Sequence, residues 1–335
     1  MSPSIQRVYV EEAVSEHPRA LAVLERFPKA EQISCGRYGE VFNRKAQNFR
    51  LQKQRPALIL AEKFDRLCLP APKGYGIGSG RNFYFSHMLN CIYDCRYCFL
   101  QGMYLSANYV LFVNYEDFFD SIERTIEEFA QEECYFFSGY DCDSLALDSV
   151  TGFVEEFVPF FFRHPRAWLE VRTKSTRIEA LQALEAIPNC VVAFSFTPAE
   201  AHADLEAGVP PIERRLEAMV KLAECGWWLG LRFDPLLYGD DFEKRYKSLF
   251  ETVFSRLPVE SLHSVSYGPF RLPRDFYERM YRLYPDEPLL AGPLDTQGRT
   301  VSYGREREME LLEFCHQELG RYVPEEIFFP CRVPE

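Results

Sequence analysis

From residue 83 onward, short apolar runs rich in β-branched and aromatic residues alternate with amphipathic stretches. Nothing else in the chain restricts its fold as much. Strand-like runs fall at 82–86, 135–138, 168–172, 191–196, 229–233 and 263–267. Helical patterns follow them at 115–131, 151–162, 177–186, 211–225, 242–256 and 273–284, the fourth with a proline near its start. Such repetition predicts parallel strands joined by crossover helices, an α/β chain curled into a partial (β/α)6 barrel. The barrel is expected over 81–290, after a lead-in region over 1–80 and before a helical tail over 291–335 whose helix covers 306–320.

The lead-in holds a short strand at Val8-Tyr9-Val10 and an amphipathic helix over 18–27. A basic, polar run follows, with Lys45, Arg50, Lys53 and Arg55. It reads as a solvated helix face or as an edge that contacts phosphate. The glycine-rich 74–80 precedes a strand instead of following one, so it lacks the context of a dinucleotide or phosphate loop and reads as a connector.

Composition narrows the classes. A 335-residue chain that is 47% hydrophobic can bury a large core, as one barrel or as two domains. Its net charge of −12 argues against a broad nucleic-acid footprint but leaves room for a local groove. No apolar run approaches the roughly 18–20 residues that span a bilayer, and no basic-then-apolar leader opens the sequence. Eleven cysteines, an odd number with several in apolar segments, fit a reducing cytoplasm better than a disulfide framework.

Three of those cysteines, Cys91, Cys95 and Cys98, stand in a C-x3-C-x2-C run between the first barrel strand and its helix. Loops at the carboxyl ends of barrel strands carry chemistry. A structural zinc site recruits four protein ligands, whereas three thiolates on a four-iron cluster leave one iron open. Three reduced thiols in a loop are the plain alternative. Other polar residues recur at successive strand ends: Ser138, Gly139 and Asp141; Thr173 and Lys174; Ser195 and Thr197; Arg232 and Asp234. Each of these also suits a helix cap or a local pair.

The cysteine spacing, with Tyr97 just before the last cysteine, resembles the radical S-adenosylmethionine (SAM) superfamily. That resemblance implies a [4Fe–4S] cluster on Cys91, Cys95 and Cys98 whose open iron takes the amino and carboxylate groups of SAM. One electron then cleaves the sulfonium to methionine and a 5′-deoxyadenosyl radical. It further implies that Tyr97 borders the adenine, with Ser138, Gly139, Lys174 and Ser195 facing the methionine and ribose.

A narrower likeness runs through Cys95-Arg96-Tyr97-Cys98-Phe99-Leu100-Gln101-Gly102, which resembles the C-x-Y-C-Y-L-Q stretch of the spore photoproduct lyases. Asn48 to Lys53, Asp143 and Asp148 before Thr151, Thr173-Lys174, Phe194-Ser195 and 223–235 fall in the same order. The likeness implies reversal of a thymine–thymine photoproduct in DNA, with hydrogen taken from the lesion and returned by a cysteine. Its partners would be damaged DNA or another nucleotide and a flavodoxin- or ferredoxin-type electron donor, with no membrane. This sequence departs at two places. Phe99 stands where the family has a radical-relaying tyrosine, and Tyr140 occupies the donor-cysteine position counted back from Asp143. Cys142, two residues on, is expected either as a substitute donor or as an unrelated loop thiol, and Tyr140 offers another radical route. Two other readings stay open: the same chemistry on a modified nucleotide, RNA or peptide, and a non-catalytic iron–sulfur or zinc protein.

Overall fold

The computed structural model describes residues 5–78 and 80–331; Ser79 of the glycine-rich connector and the two chain ends lie outside them. Two sheets organise the molecule. The first begins with β1 (Arg7–Glu11), β2 (Glu31–Cys35) and β3 (Leu58–Ala61), parallel in the order β2-β1-β3. After it, β4 (Leu69–Pro70) pairs antiparallel with β5 (Arg81–Tyr84), the first barrel strand.

The chain then leaves the barrel. β6 (Met88–Leu89) and β8 (Tyr109–Phe112) complete the first sheet in the order β2-β1-β3-β8-β6, while β7 (Asp94–Cys95) between them belongs to neither large sheet. The cysteine run is thus carried on an excursion that ties the lead-in to the barrel. It returns through the helix Tyr115–Glu128 to β9 (Cys134–Phe137), parallel to β5.

From there the expected alternation holds. β10 (Ala167–Thr173), β11 (Cys190–Ser195), the two-residue β12 (Glu206–Ala207), β13 (Trp228–Leu236) and β14 (Leu262–Pro269) follow. β5, β9, β10, β11, β13 and β14 run parallel in that order, the six strands of a partial (β/α)6 barrel. A sheet covered on both faces needs apolar residues on both, which is why β11, Cys-Val-Val-Ala-Phe-Ser, is buried at every position.

The barrel interior is not wholly apolar. Fully buried Arg232 donates from Nη2 to Glu170 Oε2 at 2.7 Å and to Ser264 Oγ at 2.8 Å, and Arg172 adds a bond to Glu170 Oε1 at 2.9 Å. Burial alone would raise the Glu170 pKa, but Arg232 and Arg172 outweigh it and hold the carboxyl at about 2. Gly230 makes the space, since a Cβ there would lie 2.9 Å from Arg232 Nη2 and 2.9 Å from Ala193 Cβ.

Some elements differ from the sequence expectation. The helix over 151–162 is two, Asp148–Thr151 and Phe153–Phe162, because Gly152 turns left-handed at φ 62° and donates to Asp148 O at 2.8 Å. The helix over 177–186 shrinks to Glu179–Ala183. In the last segment the expected helix is Arg305–Leu319 and a short 3-10 turn follows at Glu325–Ile327, but the rest of 292–331 is strand and loop. Around that helix, β15 (Arg271–Pro273), β16 (Asp295–Gln297) and β17 (Thr300–Ser302) form a small antiparallel sheet, and β18 (Phe328–Pro330) joins the barrel beside β14. No helix among the described residues is long and apolar enough to cross a membrane.

Candidate active site

The cysteine loop opens on a conformational constraint. Asn90 is left-handed at φ 68°, a region that asparagine tolerates better than most residues. Its buried Nδ2 donates to Ser106 O at 2.8 Å and Asn108 O at 2.7 Å, fixing the start of the loop to the amino end of β8. Three further holds follow. Lys53 Nζ donates to Cys91 O at 2.6 Å from the lead-in. β7 pairs antiparallel with β12, Cys95 opposite Glu206, and Arg96 N–H donates to Leu205 O at 2.8 Å. The helix Leu100–Met103 packs on the helix Arg274–Leu283, where a Cβ on Gly102 would lie 2.4 Å from Phe276 O, and Arg279 Nη1 donates to Gly102 O at 3.0 Å.

Burial raises all three thiols. Cys91 is pushed up to about 12, first by burial and then by Asp143, with Lys53 opposing. Cys95 is pushed up by burial against the opposition of Lys174, with Glu206, Cys98 and Cys91 adding to the rise. Cys98 follows by burial, opposed by the Leu100 N–H, Lys53 and Lys174. The three thiols therefore feel one another and two cations. Yet no three metal-ligating side chains among the described residues converge on a point that one ion could fill. Three thiols on one short loop, with Lys53 and Lys174 to offset thiolate charge, suit a cluster with one open iron, whereas a closed zinc site takes four ligands.

Opposite Cys95 lies a densely hydrogen-bonded carboxylate. Glu206, with its side chain fully buried, accepts from Lys174 Nζ at 2.6 Å, Thr197 Oγ1 at 3.0 Å, Arg215 Nη2 at 3.1 Å and the Tyr97 hydroxyl. His202 Nδ1 stands 2.8 Å from Oε2, the oxygen that Arg215 also reaches, and Lys174 Nζ also donates to Tyr97 OH at 2.7 Å. Burial alone would raise this carboxyl, but Lys174, His202 and Arg215 hold it well below the usual range. Arg215 Nη1 reaches on to Ser195 O at 2.5 Å. Two of the predicted SAM-facing residues, Tyr97 and Lys174, are thus brought into contact, and the third barrel strand's end is locked to the cysteine loop.

The other strand ends divide. The Ser195 hydroxyl has no partner among the described residues. Ser138 is fully buried, its Oγ 2.8 Å from Ser144 Oγ and donating to Glu170 O at 2.9 Å, so its hydroxyl is engaged inside the barrel. Gly139 is needed by packing, because a Cβ there would stand 2.8 Å from Arg172 O. Asp143 pins the loop after β9 onto β10, accepting from Thr173 Oγ1 at 2.7 Å and Lys174 N at 2.6 Å. Glu206 and Arg215 escaped the sequence reading; neither stands at a motif spacing, and only the fold reveals that they meet.

Cys142 is 7% exposed, and its Sγ lies 3.9 Å from Ser138 O. Burial, with Cys91, Asp143 and Asp141 adding to it, pushes its pKa well above the usual thiol range, so the thiol keeps its proton. Tyr140 stacks on Tyr84 with ring centroids 4.4 Å apart and stands 5.7 Å from the Phe99 ring. The two departures from the lyase pattern are therefore neighbours. A phenol occupies one and a phenyl the other, in mutual contact.

A profile of the spore photoproduct lyase family matches residues 83–306, which spans the cysteine loop and every barrel strand from β5 to β14. The chain belongs to the spore photoproduct lyase family. Over 220 residues it is 27% identical to spore photoproduct lyase of Bacillus subtilis (strain 168), covering 64% of this chain and 63% of that protein's length. Spore photoproduct lyase of Geobacillus sp. (strain Y412MC61) is 26% identical over 249 residues, covering 70% and 72%. Solved structures share the fold over their whole length. One spore photoproduct lyase variant with bound AdoMet and dinucleoside spore photoproduct superposes with a TM-score of 0.86 at 18% identity, covering 100% of both chains. A spore photoproduct lyase complexed with dinucleoside spore photoproduct gives 0.83 at 19%, again over 100% of both.

Proposed function

We propose that this member of the spore photoproduct lyase family is a radical SAM enzyme that reverses a thymine–thymine photoproduct in DNA. The carrying observation is the cysteine loop clamped by β12, with Lys174 and Tyr97 joined on Glu206 directly beside Cys95. Cys91, Cys95 and Cys98 would hold the cluster. When bound, it supplies the electron, received from a flavodoxin- or ferredoxin-type donor, that cleaves the sulfonium of SAM. The rest is done by the chain. Lys174 offers a fixed point charge to a carboxylate, Tyr97 presents its ring, and Ser195 presents a free hydroxyl. Ser138 and Gly139 shape the strand end from behind. A buried, protonated Cys142 holds a weak S–H bond ready for a product radical, and Tyr140 stands beside Phe99, which has no O–H to give.

The same pair supports a second reading, the same chemistry on a modified nucleotide, RNA or peptide. Product analysis separates them. Incubated anaerobically with lesion-bearing DNA, SAM and reductant, the wild type should return two thymines. Cys142→Ala should keep its iron and its uncoupled SAM cleavage while thymine recovery falls by about tenfold or more, a barrier change near 1.4 kcal/mol, and diverts to adducts. Unchanged recovery in Cys142→Ala removes that thiol from the reaction. Absence of thymine in the wild type, with SAM still cleaved, moves the substrate to the second reading.

A further inference from the structure

At the amino ends of β1, β3 and β8, away from the SAM-facing residues, the lead-in sheet encloses a cavity of about 330 Å3. Arg7, Arg44 and Arg55 stand around it, and no carboxylate belongs to its lining. Between residues 37 and 55 the chain carries six basic side chains against one acidic, in a molecule of net charge −12. Arg7 makes only an exposed 3.5 Å approach to Glu31, and Arg44 donates from Nε to Glu40 O at 2.9 Å. The Arg55 guanidinium has no partner among the described residues.

The amides of the lining point the same way. Asn48 Oδ1 accepts from Leu51 N at 3.0 Å, Gln47 Oε1 from Gln52 Nε2 at 2.7 Å, Gln52 Oε1 from Ala107 N at 3.0 Å, and Asn108 Oδ1 from Ala57 N at 2.9 Å. Four acceptor oxygens are thus consumed by the protein itself. What remains is the guanidinium groups and the Nδ2 of Asn108, a residue 6% exposed whose Nδ2 has no partner among the described residues, beside Gln6 and the Tyr9 hydroxyl, which can donate as well as accept. A concave wall rich in N–H donors and fixed positive charge, without an acid, suits a phosphate and disfavours cations.

Its position gives the phosphate a source. Asn108 O accepts from Asn90 Nδ2 at 2.7 Å, one residue before Cys91, and Lys53, next to Gln52, donates to Cys91 O. The cavity and the cysteine loop are therefore two sides of one rigid unit. We propose that this cavity is a phosphate subsite that takes a backbone phosphate of the nucleic-acid strand outside the lesion. The assignment rests on the reading of the substrate as DNA.

The test compares the full-length wild type with an Arg44→Gln/Arg55→Gln double variant, using fluorescence anisotropy with an undamaged oligothymidylate over a salt series. The variant should bind about tenfold more weakly, the loss expected for charge-assisted bonds. Its log–log salt slope should shrink by about 0.7, as one single-strand phosphate contact disappears. Iron content and SAM affinity should not change, and Arg44→Lys/Arg55→Lys should recover most of the slope, because charge is kept. Equal affinity and slope in wild type and Gln variant overturn the proposal. If inorganic phosphate raises the wild-type Tm but not the variant's while oligothymidylate binding is unaffected, the cavity takes free phosphate and the strand assignment is overturned. If lesion-bearing DNA is not repaired while oligothymidylate binding still depends on the two arginines, the lyase reading fails and the phosphate subsite stands.

Discussion

Replacing Cys91, Cys95 or Cys98 with alanine should abolish the brown iron–sulfur chromophore and SAM cleavage together. The expected loss is complete because the cubane draws on these three thiolates, while the nearby Cys142 thiol is directed at the Ser138 carbonyl, 3.9 Å away. Two thiolates cannot hold a cubane that needs three and leaves its fourth iron open. Iron and labile sulfide measured after anaerobic reconstitution check this. Cys190→Ala, buried in β11 far along the sheet order from the loop, serves as the control that should keep full iron. Full iron content in a Cys91/Cys95/Cys98 triple alanine variant would contradict the assignment.

The second large effect is expected at Glu206. Removing this carboxylate leaves Lys174 and Arg215 without their buried counter-charge, and breaking one side of a buried pair costs about 3–5 kcal/mol. For a chain of this size that corresponds to a Tm loss of about 4–7 °C. Glu206→Gln still accepts from Thr197 and Lys174 but supplies no counter-charge, so it should recover only the hydrogen-bond part of the stability. A purely structural role would end there. If the carboxylate positions Lys174 and Tyr97, Glu206→Gln should also weaken SAM binding by about tenfold, or 1.4 kcal/mol, in a titration of the folded variant. SAM affinity equal to wild type in that variant would leave Glu206 with stability alone.

Much of this was legible in the sequence, and the limits have physical causes. The six barrel strands were readable because parallel strands buried on both faces are near-continuous apolar runs, as in Val191-Val192-Ala193-Phe194. The cysteine loop was readable because the ligands of a cluster lie close in sequence. β8, Tyr-Val-Leu-Phe, is equally apolar, but its partner is β3 of the lead-in, and strand pairing across 51 residues leaves no local trace. Glu206 pairs with Tyr97 across 109 residues and with Lys174 across 32, so it carries no spacing of its own. The basic run at 45–55 announced charge but not concavity; only the packing of Asn108 and Ala57 beneath it forms a cavity.

One measurement reaches the central claim directly: 5′-deoxyadenosine formed by the reconstituted wild type with SAM and dithionite, with lesion-bearing DNA, with undamaged DNA and with none. The account expects 5′-deoxyadenosine in every case, its rate raised by the lesion, with thymine recovered only from the lesion-bearing strand. A preparation that holds its iron yet forms no 5′-deoxyadenosine under any of the three conditions would contradict it.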